Sequence, residues 1–155
     1  MVKIYTDGAA KGNPGPGGYG IIMRYGDHEA EFSAGYRLTT NNRMELLAVV
    51  SALEKLKRHP LNIQIISDSK YVIDAVSKGW VFTWEKNGFK KKKNPDLWQR
   101  FLRLYRMHNI QFTWIRGHNG HPENERCDAL AVAASEGADL LIDTNYEQSE
   151  TGLFD

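Results

Sequence analysis

The chain has 155 residues, 41% hydrophobic and 25% charged, which suits one globular domain with a single core. No stretch approaches the ~20 apolar residues of a membrane span, and no signal peptide is expected because the start runs directly into a strand. The single cysteine, Cys127, excludes an internal disulfide framework and fits a reducing compartment. The net charge of +1 conceals an asymmetry. Residues 1–135 carry all 20 Lys and Arg against 13 acids, a net +7, while residues 136–155 carry six acids and no Lys or Arg. A basic body suits a polyanionic partner, or only a solvated lysine-rich surface.

Residues 2–6 form an apolar run that ends on a carboxylate, Asp7. A turn crowded with Gly and Pro follows, then a second run over 18–25. This predicts two strands, with Asp7 at the carboxyl end of the first, where open α/β sheets carry their sites. Taken alone, Asp7 fits a surface turn equally well. A third strand over 29–36, entered through Gly26-Asp27, completes an antiparallel meander. Asn42, with Glu45 three residues on, resembles a capping box, and the helix runs over 43–58 until Pro60 stops it. Its inward face holds Ala48, Val49, Ala52, Leu53 and Leu56, and helical spacing puts Glu45 on that face. A carboxylate there is costly unless it caps, pairs or binds a cation.

Residues 62–68 are nearly all apolar, as in a strand covered on both faces and parallel to its neighbour. A crossover from the preceding helix pairs it with the first strand, so that Asp68 ends beside Asp7. Asp68 is also a candidate N-cap for a helix over 71–78. A segment in which Trp80, Trp84 and Phe89 precede and interleave with Lys86, Lys90, Lys91, Lys92 and Lys93 comes next. The lysine run repels itself and should protrude; aromatics beside cations are a nucleic-acid-binding composition, although Trp80 and Trp84 lie at helical spacing and can pack against the domain. A helix over 96–108 turns Leu97, Phe101, Leu104 and Tyr105 inward, and a last strand covers 110–115. The loop Gly117-His118-Asn119-Gly120-His121 leads to Pro122 at the start of a helix ending near 136. Cys127, Leu130, Ala131 and Ala134 form its apolar stripe, with Asp128 at the stripe's edge. The acidic end is expected to be weakly ordered.

This order predicts an α/β fold with a mixed five-stranded sheet, three antiparallel strands plus parallel ones, flanked by helices. Asp7, Glu45, Asp68 and Asp128 can converge at one end of it. Four clustered carboxylates repel and are hard to ionise unless cations neutralise them, and all-oxygen ligands select Mg²⁺ or Mn²⁺. Two such ions suit an in-line phosphoryl displacement by water. His118, on a Gly-flanked loop, can move a proton or sit on the surface without a role.

Five motifs carry a resemblance: Ile4-Tyr5-Thr6-Asp7-Gly8, Asn13-Pro14-Gly15-Pro16-Gly17-Gly18-Tyr19-Gly20, Thr40-Asn41-Asn42-Arg43-Met44-Glu45-Leu46, Ser67-Asp68-Ser69-Lys70-Tyr71-Val72, and Gly117-His118-Asn119-Gly120-His121-Pro122-Glu123-Asn124-Glu125-Arg126-Cys127-Asp128. In this order, over about residues 2–146, they strongly resemble type 1 ribonuclease H of the bacterial kind. The resemblance implies endonucleolytic hydrolysis of the RNA strand of RNA–DNA hybrids with two Mg²⁺ ions, leaving 5′-phosphate and 3′-hydroxyl ends. It assigns metal binding to Asp7, Glu45, Asp68 and Asp128, and a mobile catalytic imidazole to His118. Asn13, Asn41 and Asn42 match contacts to the hybrid's minor groove and the RNA 2′-hydroxyls, the group that tells RNA from DNA. Thr40 and Asn94 match a pocket for a DNA-strand phosphate. Trp80 and Trp84, with Lys90, Lys91, Lys92 and Lys93, match a basic protrusion, at about 80–95, that holds the DNA strand.

Leu38 stands where many members carry Arg, Lys70 replaces a frequent Gln, and the protrusion is shorter than in well-known members. These departures bear on affinity and site preference. A single catalytic domain over 1–142 with an acidic tail over 143–155 is expected, acting as a cytoplasmic monomer. The rival readings are a non-catalytic hybrid-binding module, another nuclease of the same fold such as a junction resolvase or integrase core, and a zinc hydrolase using His118, His121 and Cys127.

Overall fold

Pairing of apolar runs builds the sheet at the centre of the molecule. The computed structural model describes residues 1–151, with side chains through Ser149. β1 (Val2–Ala10), β2 (Gly15–Tyr25) and β3 (His28–Thr39) form the antiparallel meander. β4 (Asn62–Ser67) and β5 (Asn109–Trp114) add on in parallel, giving the order β3-β2-β1-β4-β5. This is the mixed five-stranded sheet that the sequence predicts. The meander strands run further than the apolar runs alone, because Ala10 pairs with Gly17 and Gly15 with Thr39, carrying the ladder into the glycine-rich turn.

The described residues hold six helices: α1 (Asn41–Glu54), α2 (Lys70–Ser77), α3 (Trp80–Lys86), α4 (Pro95–Tyr105), α5 (Pro122–Ser135) and α6 (Thr144–Thr151). The main core lies between the sheet and α1, α2 and α4, where Ile4, Ile21, Met44, Val49, Trp98 and Phe101 are buried. Trp98, fully buried, is the largest residue there, and Trp84 and Phe101 meet it edge-on. At about 25 cal/mol per Å² of apolar surface, such aromatics contribute several kcal/mol each. α5 packs on the opposite face, against β1, β2 and β3. It rests on bare backbone: a Cβ at Gly20 would come within 2.2 Å of the Cys127 carbonyl oxygen, and one at Gly35 within 2.0 Å of that of Ala134.

Two helix starts differ from expectation. The N-cap of α1 is Thr40, whose Oγ1 accepts the Arg43 N–H at 3.2 Å, and Asn42 lies inside the helix. Glu45 is therefore not the partner in a capping box. Likewise Ser69, not Asp68, caps α2, accepting the Val72 N–H at 3.3 Å. In both cases a hydroxyl at the right register takes the backbone donor, and the carboxylate remains available. α1 also ends at Glu54, four residues before the expected end.

The described part of the acidic end packs against the body. Leu141 bridges to Tyr36 at the β3 edge, exchanging hydrogen bonds with Arg37 and Gly35. Asp143 and Tyr146 are buried, and Glu147 forms an ion pair with Arg37 at 2.8 Å. The basic body supplies cations to the acids of this end, Arg37 to Glu147 and Arg43 to Asp143. The last four residues of the expected tail, 152–155, lie outside the described residues. Among the described residues, no helix is long and apolar enough to cross a membrane.

Candidate active site

Strand register builds the acid cluster. Thr6 pairs with Ser67 at the end of the parallel β1–β4 ladder, so the next residues, Asp7 and Asp68, stand side by side. Asp68 is the first residue past β4, whereas Asp7, expected at the end of the first strand, lies within β1 and still pairs with Gly20, because the β1–β2 ladder continues to Ala10. Glu45 reaches them because α1 runs hard against β1. A Cβ at Gly8 would lie 2.4 Å from the Met44 carbonyl carbon and 2.5 Å from the Glu45 nitrogen. One oxygen each from Asp7, Glu45 and Asp68 then falls within 4.8 Å of the others. Asp128, carried by α5 from the opposite face, is not in that triplet but lines the same cavity, of about 320 Å³. His118 lines it too, from an exposed turn where its φ is +54°.

The electrostatics are those of a site built for a cation. Burial raises the Asp7 pKa to about 7, the Asp68 and Asp128 charges add to the rise, and hydrogen bonds from Glu45 and the Gly8 N–H oppose it. Glu45 is pushed well up as well, first by burial and then by the charges of Asp7 and Asp68. Its Oε2 is buried with no hydrogen-bond partner. An unpartnered buried carboxylate oxygen aligned with two more acids fits a hard divalent cation, which would supply the missing contact. This cluster is the candidate metal-binding site of the chain.

A second cavity, of about 350 Å³, adjoins the first and shares Asn42 and Tyr71 with it. It is lined also by Asn13, Thr40, Trp84, Lys91, Lys92, Lys93 and Asn94. Four predicted groups thus meet here: an asparagine pair, the Thr40–Asn94 pair, one tryptophan and three lysines. Lys90 is exposed and does not line the cavity, and Trp80 is 46% exposed outside it, with Lys78 Nζ 5.1 Å from its ring centre. The aromatics of the protrusion divide: Phe89 is buried in the core, whereas Trp84 sits between Trp98 and Lys92 Nζ, the latter 5.0 Å from its ring centre. Asn41 lines the acid cavity. Its Oδ1 accepts the Ala10 N–H at 2.5 Å and its own N–H donates to Asn13 Oδ1 at 3.2 Å, which ties the glycine-rich turn to α1.

Two groups escaped the sequence reading. Arg43 is buried, although charged, and Tyr71 forms the wall between the two cavities. Arg43 falls on the inward stripe of α1 with Leu46, Leu47 and Val50, and a cation at such a position was the signal for a buried ion pair. The zinc reading loses its basis. Among the described residues, His118, His121 and Cys127 form no cluster. Burial also raises the Cys127 thiol to about 12, and its S–H donates to the Tyr5 carbonyl at 3.4 Å.

A mixed β3-β2-β1-β4-β5 sheet with one carboxylate inside the central strand β1 and another just past the end of its parallel neighbour β4 defines a ribonuclease H-like fold carrying a metal-type acid site. The family model for RNase H matches residues 1–136. A ribonuclease H of Desulforamulus reducens is 54% identical over 147 residues, covering 92% of each chain. Among solved structures, LC9-RNase H1, a type 1 RNase H with the type 2 active-site motif, aligns with a TM-score of 0.80 at 32% identity, over 96% of this chain and 79% of its own. LC11-RNase H1, solved in complex with an RNA/DNA hybrid, aligns with a TM-score of 0.63 at 27% identity, over 88% and 97%. The chain belongs to the RNase H family.

Proposed function

We propose that this protein is an endoribonuclease that hydrolyses the RNA strand of RNA–DNA hybrids, leaving 5′-phosphate and 3′-hydroxyl ends, and that it acts as a cytoplasmic monomer. The observation that carries the reading is the adjacency of the acid cluster to a lysine-lined cleft, with Asn42 and Tyr71 common to both. An acid cluster alone repels a polyanion, and a cationic cleft alone only binds one. Side by side, they hold a nucleic acid and act on one linkage of it. The hybrid bound by LC11-RNase H1 supports the same substrate class here.

Asp7, Glu45, Asp68 and Asp128 are the residues that would hold two Mg²⁺ ions, for which Mn²⁺ can substitute. Bound there, the ions would supply the charge that activates a water and stabilises the leaving oxygen. The chain's own groups orient the substrate. Thr40 and Asn94 grip a phosphate of the DNA strand, with Lys91, Lys92 and Lys93 neutralising it and Trp84 offering an apolar edge. Asn13, Asn41 and Asn42 face the minor groove and read the RNA 2′-hydroxyls. Trp80 and Lys90 meet the DNA strand further along the protrusion. His118, on its exposed turn, carries a proton to or from the reacting phosphate and helps product leave.

The deciding experiment is cleavage of a strand-labelled RNA–DNA hybrid with and without Mg²⁺, beside duplex DNA and duplex RNA. Metal-dependent cutting of the hybrid's RNA alone is the expected result. Tight binding without cutting under Mg²⁺ or Mn²⁺ would make the protein a hybrid-binding module, and cutting of duplex DNA would make it a different nuclease on this fold.

A further inference from the structure

Beneath the lysine-lined cleft lies a buried guanidinium with every donor in use. Arg43 has a side chain only 4% exposed. Its Nε donates to Asp143, Nη2 donates to Asp143 at 2.9 Å and Asp96 at 2.7 Å, and Nη1 donates to Asp96 at 2.9 Å and Asn94 at 3.3 Å. The Tyr146 ring covers it at 5.8 Å. Five N–H groups therefore have five acceptors, the full capacity of the fork.

Two of the groups that Arg43 touches are Thr40 and Asn94, the pair assigned above to the DNA-strand phosphate. Its backbone N–H donates to Thr40 Oγ1, and its guanidinium donates to Asn94 Oδ1. In each case the contact occupies the acceptor side. The Thr40 hydroxyl hydrogen is left to point away from α1. One hydrogen of the Asn94 amide goes to the Tyr71 hydroxyl at 3.0 Å, and the second remains for a ligand. An amide held at its oxygen by Arg43 and at its nitrogen by Tyr71 cannot flip. Without the guanidinium it can, and a flipped Asn94 turns a carbonyl oxygen toward a phosphate.

We infer that Arg43 is a positioning residue that keeps the cleft in its donor state, and that the C-terminal segment, through Asp143, sets how firmly it does so. The inference rests on the phosphate reading of the cleft given above. It goes beyond that reading because Asp143 and Tyr146 lie outside the 1–136 stretch that the family model matches. Electrostatics alone makes the opposite prediction. Arg43 sits between two carboxylates, so removing the Asp143 charge makes the ground under the cleft less negative and should tighten anion binding. Positioning says that the same change loosens it.

The test uses the whole protein and a short hybrid cut at one site, with a single uncharged methylphosphonate linkage moved along the DNA strand. In the wild type, one linkage position is expected to raise KM by about tenfold, as loss of a charged hydrogen bond does. In Asp143→Asn, and more strongly in Arg43→Lys, KM for the unmodified hybrid should rise several-fold with kcat within a factor of two. The penalty at that one linkage should largely vanish. Ala52→Gly, a buried change in α1 away from the cleft, serves as the control for lost stability and should keep the full linkage penalty. If Arg43→Lys does not fold, Asp143→Asn decides alone. Tighter binding in Asp143→Asn, or an undiminished linkage penalty, overturns the positioning role. A wild type that cuts the hybrid but shows no sensitive linkage overturns the phosphate reading of the cleft together with it. Absence of cutting would sink the proposed activity itself.

Discussion

Asp7 and Glu45 lie in hydrogen-bond contact although both are acids, and burial with the nearby charges of Asp68 and Asp128 raises Asp7 to about 7. Such a pair shares a proton near neutral pH unless a cation replaces it. Removing the charge of one member should therefore separate catalysis from binding. Asp7→Asn or Asp68→Asn is expected to lower cleavage on the order of a thousandfold, the scale for losing an electrostatic stabiliser of the transition state, with hybrid affinity largely kept. Single-turnover cleavage beside a binding titration measures both. Near-normal turnover would remove the residue from the catalytic role.

The same pair makes the metal-free protein pH-sensitive. Between about 4 and about 7 the folded state keeps a proton on Asp7 that the unfolded chain has already released. The folded state then binds more protons, so stability falls as pH rises through this window, and Glu45, raised as well, adds to the fall. Asp7→Asn should flatten that fall, and Mg²⁺ should bind more tightly at pH 8 than at pH 6, since it must displace the proton. Denaturant unfolding with chelator across pH 4–8, and a Mg²⁺ titration at the two values, are the measurements. A stability that rises with pH over 5–7 in the chelated protein would contradict the assignment.

The lysines are not equivalent. Lys91, Lys92 and Lys93 line the cleft beside Thr40 and Asn94, and Lys90 does not. Replacing the three with Ala should weaken hybrid binding and reduce the slope of log K against log salt by about 0.7–0.9 for each phosphate that is no longer neutralised. Lys90→Ala alone, which removes one contact outside the cleft, should lower the slope by no more than one such step. An unchanged slope in the triple variant would mean that the run is only a solvated loop.

Gly8 has no room for a side chain, because a Cβ would enter the α1 backbone at Met44 and Glu45. Gly8→Ala should push α1 away from β1, costing about 1–3 kcal/mol of stability as overpacking does. It should also weaken metal binding by displacing Glu45. Thermal unfolding and the Mg²⁺ titration would show the two losses together. A variant as stable as wild type would show that the helix can retreat freely.

Thr40 has two duties, capping α1 and facing the cleft. Thr40→Ser keeps both, whereas Thr40→Ala should cost about 1 kcal/mol of stability and raise KM. Thr40→Asn restores a cap without the hydroxyl, so unfolding and steady-state kinetics on all three variants separate the cap from the cleft: the Asn variant should recover the stability and keep the raised KM.

Much of this protein is local and could be read along the chain. Apolar runs specify β1 to β5, and the 3.6-residue stripe specifies α1, α4 and α5, because both record contacts within a few residues. The motifs around Asp7, Glu45, Asp68 and Asp128 named the acids before any geometry was known. The folded chain decided what depends on contacts distant in sequence. The β1–β4 register and the bare backbone of Gly8 bring Asp7, Glu45 and Asp68 within 4.8 Å, while Asp128, on a helix across the sheet, only borders their cavity. Hydroxyls of Thr40 and Ser69 take the caps that sequence offered to Asn42 and Asp68. Arg43 finds Asp96 at a separation of 53 residues and Asp143 at 100, so an end that composition marks as loose is tied down by a buried ion pair. No local pattern encodes such a pairing, because its stability comes from desolvated charges that meet only after the sheet and helices have assembled.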